Sequence, residues 1–434
     1  MINVKYEHQS CQKGTQTSLG IMFEITAPVA PVVETSITRK PRSLIFLVDR
    51  SGSMGGGRLE MVRQTILDTL PRLHHDDLLS VVTFDDSARV EVELQSVGSM
   101  NRAEVIRKIE ELQTGGQTNL EQGYRVALAE AAKSPSGIES TVLLLSDGKA
   151  NAGVTDPVQL GQLAATATEH LVSTTSIGIG KGYDESVLGA VADSGNGNHI
   201  AALELDEALR GLQAEIDDLL SKTIIDFEFQ IQVIEPFIGP ETKIRKTRYL
   251  RKFVSRGSVA DGKLGDISSG EEKNLVFEIT LDHQDFGSNI ESLPAIDYTY
   301  HYFDVVAGEL KDGSGTIDVA LIDPSIWIEP ARDEDILAEL KAIRLQDVRD
   351  RALELYRQGR EQEADDLLTA AGEDLMRFIE SSSMLSDRTK LRMSAQYDEV
   401  MGFATLDDAN IKRKRLGEAR NRSMRDKDNF RDRS

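Results

Sequence analysis

The sequence predicts an α/β protein: a doubly wound, mostly parallel sheet associated with an antiparallel β-sandwich and a C-terminal helical hairpin. Between residue 42 and about residue 220, apolar runs of strand length alternate with helix-length amphipathic stretches, as a parallel sheet covered by helices on both faces requires. On either side, short pieces alternate with period two between Gly, Pro and Asp turns, which suits an antiparallel sandwich. From Asp333 onward the apolar residues recur at helical spacing.

Taken in order, residues 19–28 and 30–38 read as strands. Leu44 to Val48 is a wholly apolar strand that ends on Asp49, and a helix is expected over Leu59 to Leu73. Leu78 to Phe84 is the next strand, followed by helices near Arg102 to Leu112 and Asn119 to Ala132. Thr141 to Leu145 is a second apolar strand running into a carboxylate, Asp147. A helix over Pro157 to His170, a strand over Ser176 to Ile179 and a helix over Glu207 to Leu220 complete the alternation. Ile225 to Val233, Leu275 to Ile279 and Tyr298 to Tyr302 then alternate as sandwich strands. If they pair with the strands before residue 40, the α/β unit is an insertion into the sandwich. Ile336, Leu340, Ile343, Val348, Ala352 and Leu355 mark one helix, Gly359 a stop, and Ala364, Leu367, Leu368, Leu375, Phe378 and Ile379 a second. The expected divisions are residues 1–40 (N-terminal sandwich strands), 41–220 (α/β domain), 221–328 (sandwich), 329–385 (helical hairpin) and 386–434 (flexible basic tail).

The net charge of −22 is uneven, because Ile411 to Ser434 holds ten basic against four acidic residues and leaves −28 on the remainder. An acidic body argues against nucleic acid as partner except weakly through the tail. No apolar run is long enough to span a membrane, and the start lacks the charged-then-apolar order of an export signal. Cys11 is the one cysteine, which suits a reducing compartment. A cytoplasmic location is expected.

Asp49, Ser51 and Ser53 place three oxygen-bearing side chains at alternate positions where an apolar strand emerges into solvent. Open parallel sheets bind ligands there, and Mg²⁺ demands about six oxygen ligands. Gly55-Gly56-Gly57 lets the chain turn into the next helix. Thr118, in Gly115-Gly116-Gln117-Thr118-Asn119, and Asp147, in Ser146-Asp147-Gly148, stand at the ends of the next suitable segments and supply two further oxygens. One such segment alone reads equally well as helix capping by Asp and Ser; three in register do not. The pair His74-His75 with Asp76-Asp77 reads as a solvated turn, Asp85-Asp86 as a polar turn, and Gly178-Ile179-Gly180-Lys181-Gly182 departs from the dinucleotide fingerprint.

Asp49-x-Ser51-x-Ser53, Gly115-Gly116-x-Thr118-Asn119 and Ser146-Asp147-Gly148, in this order, resemble the metal-ion-dependent adhesion site of the von Willebrand factor type A family, over about residues 42–205. Met54 and Asn151 agree with it. The resemblance implies Mg²⁺, Mn²⁺ or Ca²⁺ contacted directly by Ser51, Ser53 and Thr118, with Asp49 and Asp147 acting directly or through water. It also implies a protein partner whose Asp or Glu completes the shell. The domain order is similar to that of the inter-alpha-trypsin inhibitor heavy chains. An adaptor role for an AAA+ ATPase or a metal-insertion complex is a second reading. A metal-dependent hydrolase is a third, disfavoured because no motif segment supplies a histidine as general base, so a non-enzyme is expected.

Overall fold

A computed structural model describes residues 2–30, 41–245, 252–282, 291–406 and 408–424. It divides into two compact units, one of Met1–Thr38, Ser221–Asp407 and Ser423–Ser434 and the other of Arg39–Leu220 with Asp408–Arg422. In chain order the first begins with β1 (Ile2–Tyr6), β2 (Ser10–Gln12) and β3 (Thr17–Thr26). The second follows with β4 (Ser43–Asp49), α1 (Arg58–Thr69), β5 (Leu78–Phe84), β6 (Ala88–Ser96), α2 (Arg102–Glu110), α3 (Leu120–Ala131) and β7 (Ser140–Ser146). It continues through α4 (Pro157–Thr168), β8 (Val172–Ile179), α5 (Glu185–Ser194), β9 (Asn196–Ala202) and α6 (Leu205–Leu220).

The α/β sheet has the order β6-β5-β4-β7-β8-β9. β4 lies between β5 and β7, parallel to both, and all seven of its residues are buried. Its side chains alternate between two cores. Leu44, Phe46 and Val48 pack with Val62, Ile66, Leu212 and Ile216 on one face; Ile45 and Leu47 pack with Tyr124, Leu160 and Val191 on the other. This double coverage explains why the run is apolar without a break. Each such side chain contributes about 1.5–3 kcal/mol by leaving water, and Phe46→Ala would cost about 3–5 kcal/mol. β6 is antiparallel to β5 and was not expected from the sequence, nor were β9 and α5. Successive strands leave β4 toward β5 on one side and β7 toward β8 on the other, so the crevice between the C-terminal ends of β4 and β7 is the switch point of the sheet.

The other unit resumes with β10 (Lys222–Val233), β11 (Lys243–Arg245), β12 (Lys252–Arg256), β13 (Val259–Ser268), β14 (Glu272–Leu281), β15 (Glu291–Asp304) and β16 (Glu309–Ile322). Its sheets have the orders β1-β3-β14-β11 and β12-β13-β10-β15-β16-β2. β3 pairs antiparallel with β14 from Thr17↔Leu281 to Thr26↔Glu272. Strands from before and after the α/β unit therefore share one sheet, and the α/β unit is inserted between them. One pairing departs from the antiparallel pattern: β2 runs parallel to β16. Phe23, Phe229 and Phe277 meet in the core between the sheets, Phe23 edge-on to Phe277 with centroids 5.8 Å apart. The strand expected over 30–38 lies almost wholly outside the described residues.

The helices are α7 (Glu334–Arg357), α8 (Glu361–Ser381), α9 (Asp387–Thr405) and α10 (Ala409–Met424). Ile336 of α7 packs on Met22 of β3 and Val276 of β14. The expected hairpin is thus part of a three-helix layer, and the fully buried Arg349 of α7 pairs with Glu399 of α9 at 2.6 Å. The expectation of a flexible tail over 386–434 is corrected for its described part by α9 and α10; residues 425–434 lie outside the described residues. α10 belongs to the α/β unit. Leu416 and Ala419 are fully buried there, and Lys414 Nζ donates to the carbonyls of Lys181 at 2.7 Å and Tyr183 at 3.0 Å. Arg415 donates to the Ala201 carbonyl at 3.3 Å and to the Glu207 carboxylate at 2.7 Å, so these two basic residues are engaged by the α/β unit itself. No helix among the described residues is long and apolar enough to cross a membrane.

Candidate metal centre

Asp49 closes β4 and is fully buried. Its Oδ1 accepts the backbone N–H of Ser51 at 2.8 Å, and its Oδ2 accepts the hydroxyl of Ser146 at 2.5 Å. The chain then makes one turn of 3-10 helix over Gly52–Met54. Gly56 and Gly57, at φ of 68° and 94°, carry it into α1 through backbone that only glycine adopts freely. This turn brings the hydroxyls of Ser51 and Ser53 to 3.1 Å from each other. Ser53 Oγ donates to Asp147 Oδ1 at 2.7 Å.

Thr118 is buried just ahead of α3, whose N-cap Asn119 accepts the backbone N–H of Gln122. The Thr118 N–H donates to Asn151 Oδ1 at 2.9 Å, and the Asn151 N–H returns to the Thr118 carbonyl at 3.1 Å. Gly115 N–H donates to the Arg50 carbonyl at 2.7 Å and Asn119 N–H to the Asp85 carbonyl at 2.9 Å. Backbone bonds of this kind tie the loops after β4, β5 and β7 to the segment ahead of α3. The structure thus brings Asp49, Ser51, Ser53, Thr118 and Asp147 together.

Gly148 marks the centre of the arrangement. A methyl group on its Cα would stand 3.2 Å from Thr118 Oγ1, 3.4 Å from Ser53 Oγ and 3.6 Å from Asp49 Oδ2. Three oxygens from two segments, the end of β4 with its following turn and the stretch ahead of α3, therefore surround one small space kept open by a glycine. The donors are hydroxyl and carboxylate oxygens only, the set hard divalent cations take. Burial pushes the Asp49 carboxyl above the usual range, opposed by the Ser146 and Ser51 hydrogen bonds and reinforced by the charge of Asp147. Burial likewise raises Asp147, against the Ser53 hydrogen bond and the charge of Arg58. Two buried carboxylates held close together favour a cation beside them, so the residues present fit a divalent ion.

Sequence reasoning missed three contributors. Ser146 was read only as part of a motif, although it anchors Asp49. Arg58, between the glycine turn and the expected helix, was given no role, yet its Nη1 lies 3.2 Å from Asp147 Oδ2. Asp85, read as a polar turn, pairs with Arg50 at 2.6 Å and so braces the loop that carries Ser51. His74, His75 and Asp76 are exposed, in the turn ahead of β5, with candidate ligand atoms within 4.8 Å of one another.

Residues 43–215 match the model of the von Willebrand factor type A domain. The chain is 28% identical over 278 residues to the uncharacterised protein sll0103 of Synechocystis sp., covering 63% of this chain and 64% of that protein. It is 24% identical over 242 residues to inter-alpha-trypsin inhibitor heavy chain H4 of Homo sapiens, covering 53% of this chain and 25% of that one. It spans less than two thirds of the length of both relatives. The crystal structure of the ArnB paralog VWA2 from Sulfolobus acidocaldarius superposes with a TM-score of 0.61 at 13% identity, over 98% of each chain, which is a likeness of fold.

Proposed function

Because this chain carries a von Willebrand factor type A domain over residues 43–215, we propose that it is a metal-dependent protein-interaction module and not an enzyme. Asp49, Ser51, Ser53, Thr118 and Asp147 hold a divalent cation, Mg²⁺ by preference with Mn²⁺ or Ca²⁺ as substitutes. An Asp or Glu side chain of a protein partner takes the position left open. The observation that carries the reading is the space beside Gly148, bounded by Thr118 Oγ1, Ser53 Oγ and Asp49 Oδ2.

When bound, the cation supplies a strong attraction for an incoming carboxylate. The chain's own residues set how strong. Neutral hydroxyls contribute three of the five oxygen-bearing side chains, so little of the ion's charge is cancelled before the partner arrives. The buried Asp49, held by Ser146 and the Ser51 N–H, orients the inner wall, and the reciprocal Thr118–Asn151 bonds hold the opposite one. Calorimetric titration with Mg²⁺ and Mn²⁺ tests this directly. Wild type should bind one ion and Asp49→Ala none, with both proteins folded by circular dichroism; equal binding by the two would refute the site. Capture of partners from native lysate should be lost in EDTA and in Asp49→Ala alike.

A further inference from the structure

Arg58 is the first residue of α1, and its guanidinium lies beside the proposed ligand cluster. Its Nη1 donates to the Ser53 carbonyl at 2.8 Å and stands 3.2 Å from Asp147 Oδ2. The other oxygen of Asp147, Oδ1, accepts the Ser53 hydroxyl. Asp147 therefore divides its carboxylate between a hydroxyl of the cluster and a fixed positive charge. Gly180 makes this possible: a Cβ there would sit 3.3 Å from Arg58 Nη2, and a larger side chain would displace the guanidinium. Arg50, the nearby alternative, is already paired with Asp85.

We infer that Arg58 is a built-in counter-charge that weakens the site's hold on the cation and strengthens the cation's hold on an acidic partner. This rests on the metal-site reading of Asp49, Ser51, Ser53, Thr118 and Asp147. Two carboxylates and one guanidinium leave the cluster at −1, so a divalent ion brings it to +1 instead of zero. The like charge of Arg58 opposes the incoming ion, and the residual positive charge attracts the incoming carboxylate. Removing Arg58 therefore acts with opposite sign on the two binding steps. Loss of packing or of loop order would weaken both.

The test uses Mn²⁺ alone and then acetate, on full-length wild type, Arg58→Gln, Arg58→Lys and Asp49→Ala. Mn²⁺ binding is read by electron paramagnetic resonance, and carboxylate entry by the fall in water proton relaxation when acetate replaces water on the bound ion. Arg58→Gln should bind Mn²⁺ more tightly, by about three- to ten-fold for a partly screened charge a few ångströms away. It should need correspondingly more acetate for half displacement, and Arg58→Lys should stay near wild type. Unchanged or weaker Mn²⁺ binding by Arg58→Gln, with Asp49→Ala binding none, overturns the role of Arg58 and leaves the metal site standing. Mn²⁺ binding that is absent from wild type, or that survives Asp49→Ala, overturns both.

Discussion

Ser146 donates its hydroxyl to Asp49 Oδ2 across 2.5 Å, and both residues are buried at the ends of adjacent parallel strands. The bond spans the switch point of the sheet and fixes the plane of the carboxylate. Ser146→Ala leaves that buried oxygen without its donor, and stability should fall by about 1–3 kcal/mol. Metal affinity should fall as well. Thermal melts in EDTA separate the first effect, and titration with Mg²⁺ the second.

Gly148→Ala should act on the site and spare the fold. Its nearest neighbours would be Thr118 Oγ1 and Ser53 Oγ, at 3.2 Å and 3.4 Å, and Gly148 is not among the residues with positive φ. Mn²⁺ affinity should drop at least about ten-fold, equivalent to about 1.4 kcal/mol, while the melting temperature without metal changes little. Equal Mn²⁺ binding would show that the space beside Gly148 is not where the ion sits.

The imidazole of His199 is buried against Ser176 Oγ at 2.8 Å and Tyr183 Oη at 3.3 Å. Burial, reinforced by the charge of Lys414, pushes it down to about 3. The unfolded chain takes up this proton near pH 6.5 and the folded chain does not, so the group's share of stability is complete above about pH 6.5. It is lost as pH falls toward 3, at up to about 1.4 kcal/mol per unit. Denaturant titrations between pH 7 and pH 4 should show a shallower slope for His199→Gln than for wild type.

Leu416 is fully buried where α10 meets the α/β unit. Leu416→Ala should cost that contact about 2–4 kcal/mol. Hydrogen exchange should accelerate in α10 and over Lys181 to Asp184, where the Lys181 and Tyr183 carbonyls accept from Lys414. Unchanged exchange over 181–184 would mean that α10 does not restrain the loop.

β4 and β7 were legible because burial on both faces demands an unbroken apolar run; of the proposed ligands, Asp49, Ser51, Ser53 and Asp147 stood out because they end or follow those runs, whereas Thr118 stands ahead of a helix. β6 was harder to see. Arg89, Glu91 and Glu93 alternate with Val90, Val92 and Leu94 along an edge strand that begins straight after an acidic turn, and a search for parallel strands passes over it. β9 opens on Asn196-Gly197-Asn198, residues that ordinarily signal a turn. Arg58 and α10 had no readable pattern. Arg58 meets a carboxylate far along the chain, and Lys414 and Arg415 dock through backbone carbonyls of Lys181, Tyr183 and Ala201, contacts that leave no apolar periodicity behind.

The bond from Lys414 to Lys181 spans 233 positions of sequence. Chains emerge from the ribosome N-terminus first, at about 5–20 residues per second, so the loop at 181–183 waits roughly 10–50 s for the helix that covers it. α5, β9 and α6 are made early in that interval, so α10 is the last element of the α/β unit to appear. A nascent chain thus presents the Lys181 and Tyr183 carbonyls to solvent until α10 has been made.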